Sequence, residues 1–258
     1  MGRRPDRARG HLAALRYRAV RVRREYRLLA LESGEGRATH AFSLGMLREI
    51  LRGDPAFRRY MFWMSLYGSG NLMMNAQLVV LFSDRLHLAG LTQILLLTVV
   101  PLALVPLFLP WWARMFDRGN IIDYRSRQCW VLVVAIVLMS LGVALNRAGP
   151  LWVGAVLVGV SVAGANLGWN LGHNDFAGPG RAQHYMGVNV TLSGVRGLFA
   201  PPLGMAAYEG LESLRPGLGV AAMLLPIGLV AAGAMGFVHL RNDPARIAGG
   251  APINRGMT

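Results

Sequence analysis

Polar side chains set at helical spacing inside long apolar runs are the residues of this chain that could do chemistry. Between Gly164 and Asp175 two stripes of period four interleave, Gly164, Gly168 and Gly172 on one and Asn166, Asn170 and Asn174 on the other. At about 100° per residue, an offset of two positions puts the stripes on nearly opposite faces of a helix. The glycine face invites a neighbouring helix to approach closely. The asparagine face aligns amides that can line a polar pathway. Trp169 lies between Asn166 and Asn170 and offers a ring to stack on a planar or sugar-like ligand, on protein or on lipid. Asn71 and Asn75 form a second i,i+4 pair, with Gln77 near and Met73 and Met74 supplying adaptable surface. These amides either satisfy one another between helices or contact a substrate.

Arg196 is the sharpest single residue. It follows Asn189, Thr191 and Ser193 and precedes Pro201-Pro202, in a polar and breakable apolar run. A charge there costs several kcal/mol unless it is paired or hydrated, so a buried one reads as functional. It can bind an anionic group, or pair with Asp175 as a gate; alternatively the span starts later and the side chain snorkels to the interface. His173, Asn174, Asp175 and His184 flank the same end of the run, as a solvated loop or as a proton relay. His173, Asp175 and His184 form no i,i+3 or i,i+4 pair of the kind that chelates a metal, and neither metal nor cofactor is expected. The single Cys129 excludes an internal disulfide.

These residues need membrane-spanning helices to position them. Of 258 residues, 53% are hydrophobic and only 16% charged, outside the usual balance of a soluble domain. Six runs are long enough to cross about 30 Å of hydrocarbon: 60–82, 92–113, 128–146, 151–173, 186–207 and 218–240. The fold class is therefore all-α, a polytopic bundle of six spans, with short connections that suit up-and-down packing. The first and fifth spans are the most polar and should face protein or water. Pro101, Pro106, Pro201, Pro202 and Pro226 should kink their helices. No cleavable signal sequence is recognisable at the arginine-rich start.

All 27 basic residues are arginine. Fifteen precede Tyr60, and Arg114, Arg118, Arg125 and Arg127 lie between the second and third spans. Counted by loop, 23 fall on one side, three on the other (Arg85, Arg147 and Arg215), and Arg196 falls inside a span. The positive-inside rule then puts both termini in the cytoplasm, in an integral protein of the plasma membrane. Residues 1–57 form a basic cytoplasmic segment, 58–240 the six-span domain and 241–258 a cytoplasmic tail. The net charge of +14 does not point to nucleic acid, because the arginines partition by loop and no stacking aromatics interleave with them.

Two motifs bring a family into view. Phe57-Arg58-Arg59-Tyr60-Met61, followed by Gly68-Ser69-Gly70-Asn71-Leu72-Met73, resembles the start of the seventh helix of major facilitator superfamily transporters. Ala113-Arg114-Met115-Phe116-Asp117-Arg118-Gly119 resembles that superfamily's cytoplasmic loop signature, with Ala113 standing where Gly is usual. With six spans and a long basic segment in front, residues 43–240 resemble the C-terminal six-helix half of such a transporter. The resemblance implies alternating access, a small-molecule substrate near the midplane, and the Asp117-Arg118 loop as a cytoplasmic latch. It implies an N-terminal stretch corresponding to the linker between halves. It also implies a partner, since the family has twelve spans: a second six-span half, or a homodimer, or a longer chain of which this is a fragment. Spans one to three and four to six have opposite topology, as an inverted repeat requires.

Other classes fit less well. Leu192-Ser193-Gly194 lacks the first glycine of an intramembrane serine protease turn, Thr191 standing there, and His239 is far along the last span. No enzyme activity is expected. No acidic-Ala-Ala loop couples the chain to an ATPase and no phosphate-binding loop is present, so transport would run on gradients. The competing functional reading is a non-transporting membrane scaffold whose basic tail binds a partner or anionic lipid.

Overall fold

A computed structural model describes residues 44–178 and 180–243. Residues 1–43 of the basic segment and 244–258 of the tail lie outside the described residues. All regular structure among the described residues is helical. Helix α1 (Leu44–Gly53) is short and amphipathic and buries Ile50. It is followed by α2 (Pro55–Asp84), α3 (Gly90–Asp117), α4 (Ile121–Leu145), α5 (Ala148–Leu171), α6 (Ala182–Leu214) and α7 (Leu224–Asn242). Four helical stretches, Gly90–Asp117, Ile121–Leu145, Ala148–Asp175 and Leu218–Asn242, are long and apolar enough to cross a membrane. That is four where the sequence reading expects six. Helices α2 and α6, at 30 and 33 residues, are about 45 Å or more long but too polar to qualify on composition.

Local chemistry sets the helix ends. Asp54 caps α2, its carboxylate accepting from Phe57 N at 2.9 Å, and Pro55 takes the first helical position, where its missing N–H costs nothing. Asn120 caps α4, accepting from Ile122 N and Asp123 N at 3.0 Å each. Asn146 ends that helix in the left-handed region, with Arg147 N returning to Gly142 O. In α3 the turn Leu95–Val99 widens to a π-turn immediately before Pro101. Proline has no N–H to give and crowds the carbonyl four residues back, and one wide turn absorbs both effects. In the last turn of α6, Glu212 accepts from Gly217 N and Gly219 N at 2.8 Å each, holding the turn into Leu218–Met223. Those backbone donors hold its carboxyl below the ordinary glutamate range.

The helices do not pack in sequence order. The extensive pairings are α4 with α5, α2 with α7, α3 with α5, α2 with α6, and α4 with α7. Sequential α2 and α3 are not among them, nor are α5 and α6, so the simple up-and-down arrangement is replaced. This list maps onto itself when α2, α3 and α4 are exchanged with α5, α6 and α7. The exchange also reveals a sequence echo: Asn71-Leu72 and Asn75 of α2 recur as Asn166-Leu167 and Asn170 of α5, and Pro106 of α3 as Pro201 of α6, each 95 positions on.

Glycines let these pairs close. A methyl group at Gly70 of α2 would meet Pro226 O and Val230 of α7 at 2.7 Å. One at Gly142 of α4 would meet Leu151 of α5 at 2.6 Å, and one at Gly159 of α5 would meet Pro101 O of α3 at 2.8 Å. The α5 stripe is such a seam. Gly164 faces Trp112 and Gln128, Gly168 faces Arg125, and Gly172 faces Ile121 and the Tyr60 hydroxyl. The opposite stripe, Asn166, Asn170 and Asn174, is exposed throughout.

Gly168→Leu should therefore destabilise the protein by about 1–3 kcal/mol in detergent unfolding, through overpacking. Asn166→Leu on the other face should change stability by less than about 0.5 kcal/mol. Equal losses at the two positions would show that the glycine seam does not decide helix packing.

Candidate functional site

Two arginines organise the polar interior. Arg196 lies in the middle of α6 and is half-buried. Its Nη1 donates to Met64 O of α2 at 3.0 Å and its Nη2 to Ser193 Oγ at 2.8 Å. Its guanidinium lies over the Trp169 ring of α5, 5.0 Å from the centroid. Gly68 makes room for it: a methyl there would stand 2.6 Å from Arg196 Cζ. Asn189 Nδ2 donates to Trp169 O at 3.3 Å, and Ser193 Oγ donates in turn to Asn189 O at 2.6 Å. One cation thus joins α2, α5 and α6, held by carbonyl, hydroxyl and ring face. No carboxylate is among these partners.

Arg125 is the second, and sequence reasoning missed it by counting it with the loop arginines. The cap at Asn120 starts α4 early enough to carry Arg125 into the bundle, where it is 0% exposed. Asn120 followed by Asp123 was the available signal, an N-cap residue with an acid three positions on. Arg125 Nη1 donates to Gln128 Oε1 at 2.9 Å, while Nε and Nη2 have no partner among the protein groups. Its side chain lies against Gly168, 6.0 Å from the Tyr67 ring centroid. Tyr67 and Gly68 of α2, with Gly168 and Trp169 of α5, are consecutive pairs. The two cations therefore flank the α2–α5 region, Arg125 on the packed side and Arg196 toward the exposed one.

Comparison with family models, with curated proteins and with solved structures finds no match. The chemistry must be read from the residues alone.

The asparagine pairs hold the exposed face in matching geometry. Asn75 Nδ2 donates to Asn71 O at 3.0 Å and Asn170 Nδ2 to Asn166 O at 2.9 Å, each within its own helix. Neither pair bridges helices. That task falls to Gln77, whose Nε2 donates to Gly204 O of α6 at 2.7 Å. Of the candidate gating residues, Asp175 is placed differently from expectation. Asp175 does not reach Arg196; its Oδ2 accepts from Ile121 N at 2.6 Å and supplements the α4 cap. Its carboxylate meets the positive end of the helix dipole there. Asp117 and Arg118 are exposed at the end of α3. His173, open to a solvated loop or a proton relay from the sequence, is buried in the turn Gly172–Asp175 that extends α5. Among the described residues no cluster of three His, Cys, Asp or Glu is grouped to hold a metal.

A guanidinium buried without a carboxylate is costly, and a Met of similar volume removes that cost. Arg125→Met should raise unfolding stability by about 1–4 kcal/mol in detergent. Loss of stability by a comparable amount would make Arg125 a structural tie rather than a retained charge.

Proposed function

We propose that this chain is a membrane transporter of small anionic solutes, built as the C-terminal six-helix half of a major facilitator superfamily member. In this reading α2 and α6 also span the membrane, their polar sides turned to an aqueous cleft. Both termini lie on the cytoplasmic side of the plasma membrane. The observation that carries the reading is the pair of guanidiniums at the α2–α5 region, neither with a carboxylate partner. A charge inside a span is expensive unless it serves a pathway, and an uncompensated cation attracts an anion. Arginine offers a planar fork that matches carboxylate or phosphate, and Trp169 shields one face of it.

The exchange symmetry of the packing supports an inverted repeat, the framework on which alternating access is built. Asn71, Asn75, Asn166 and Asn170 are the amides of the exposed face, and they sit at equivalent positions of the two repeats. Arg196 is the anion contact, and the Asp117-Arg118 segment contributes to a cytoplasmic latch. A second six-span unit, another copy or a separate chain, closes the cleft across this face. Transport draws on a gradient and no carboxylate in the cleft carries a proton.

Purified full-length protein in liposomes, assayed with a panel of labelled carboxylates and phosphates, tests the proposal. Arg196→Leu should cut uptake of the preferred anion by about 10–100-fold, the worth of a hydrogen bond to a charged group. Gly68→Leu should produce the same defect by pushing the guanidinium aside. Uptake unchanged in Arg196→Leu and in Asn170→Leu, with normal insertion, would remove these assignments. Absence of uptake of any panel member would favour the scaffold reading.

A further inference from the structure

A cavity of about 830 Å³ opens where α3 ends, α4 begins and α7 ends, walled by Arg114, Arg118, Arg127, Arg241, Trp111 and Tyr124. Asp123 is the one carboxylate in its wall. It is already engaged, 3.7 Å from Arg241 Nε and accepting from Asn120 Nδ2 at 2.5 Å. The side chains of Arg114, Arg118 and Arg127 have no hydrogen bond or ion pair with the described residues. Four guanidiniums around one carboxylate leave a strong positive field in a concave, partly apolar site. A second basic cavity differs: beside Arg58 and Arg59 it holds Asp243, which binds Arg59 at 3.0 Å.

From this cavity the exposed face of α3 leads toward the apolar surface of the bundle. Leu107, Trp111, Arg114 and Arg118 are spaced four, three and four, which keeps them on one helix face. Leu107 is 70% exposed and Trp111 49%, so this face runs from apolar to cationic within about three turns. An acyl chain meets its upper part and a phosphate its lower part.

We propose that this cavity binds the phosphodiester head group of an anionic phospholipid from the cytoplasmic leaflet. The site rests on the membrane insertion of the four apolar helices and does not depend on transport. Basic pockets between helices on this side of a bilayer suit such head groups, each arginine adding to the attraction. Trp111 lies near the end of the apolar stretch Gly90–Asp117, the kind of position at which indole rings anchor to a bilayer surface.

Native mass spectrometry of the full-length protein in neutral detergent tests this, with phosphatidylglycerol and phosphatidylcholine of matched acyl chains. Phosphatidylglycerol adducts should dominate. Arg118→Gln combined with Arg127→Gln should lower that preference by about tenfold or more. Asp123→Asn, which frees Arg241, should strengthen it. Millimolar inorganic phosphate should not displace the lipid. The proposal is overturned by equal binding of the two lipids, or by an unchanged preference in the double variant, which would assign it to the basic N-terminal segment. Displacement by inorganic phosphate would make the cavity a free-anion site and overturn the lipid assignment.

Discussion

In hydrocarbon an apolar side chain gains little by leaving lipid for a neighbouring helix, so a bundle must cohere by close packing and by hydrogen bonds between helices. Glycine supplies the close packing here. Removal of side chains at Gly164, Gly168 and Gly172 lets α5 lie directly on Trp112, Gln128, Arg125 and Ile121. The polar groups brought along are then tied across the seam: Trp112 Nε1 donates to Val160 O at 2.8 Å, Tyr124 Oη to Gly164 O at 2.8 Å, and Gln128 Nε2 to Ser161 O at 3.0 Å. One side of α5 is thereby committed to structure. The other side carries Asn166 and Asn170 on an exposed face, with Trp169 against the Arg196 guanidinium.

The same constraint explains how a charge is kept inside the bundle. Arg196 fits only because Gly68 has no side chain, and Arg125 only because Gly168 has none. Each guanidinium is held by neutral groups: a carbonyl, a hydroxyl, an amide oxygen or a ring face. Neutral partners fix geometry without cancelling charge. That is the arrangement an anion site requires, and it differs from a structural ion pair, in which a carboxylate would quench the cation. The α3 end of the bundle repeats the theme at the surface, where arginines outnumber the one carboxylate in the cavity wall.

Much of this was legible in the sequence, for identifiable reasons. The Gly/Asn double stripe predicts its own packing, because period four on one helix fixes two opposed faces. The polarity of the first and fifth spans was visible from Asn71, Asn75, Gln77, Asn189 and Arg196, and these are the helices that fall short of the apolar criterion. Pairing order was not legible, since short loops permit several arrangements and only tertiary contacts choose among them. The 95-residue echo between α2 and α5 rests on Asn-Leu-x-x-Asn, too short to see before the helices are matched. Arg125 was misplaced because loop counting treats every arginine between two apolar runs alike, whereas the Asn120 cap had already begun the helix. Asp175 was one of the partners open to Arg196 in the sequence, and the unsatisfied N-terminus of α4 is the group that takes its carboxylate.

The central claim is that the asparagine faces of α2 and α5 border water inside the membrane rather than lipid. Thiol accessibility measures this directly, since the only native cysteine, Cys129, is buried and can be replaced by serine. Single cysteines at Asn75 and Asn166 should react readily with a charged, membrane-impermeant maleimide in vesicles opened to both sides. A control Val134→Cys, on the exposed apolar face of α4, should remain unreactive. Equally low reactivity at all three positions would place the asparagines against lipid or protein and contradict the account.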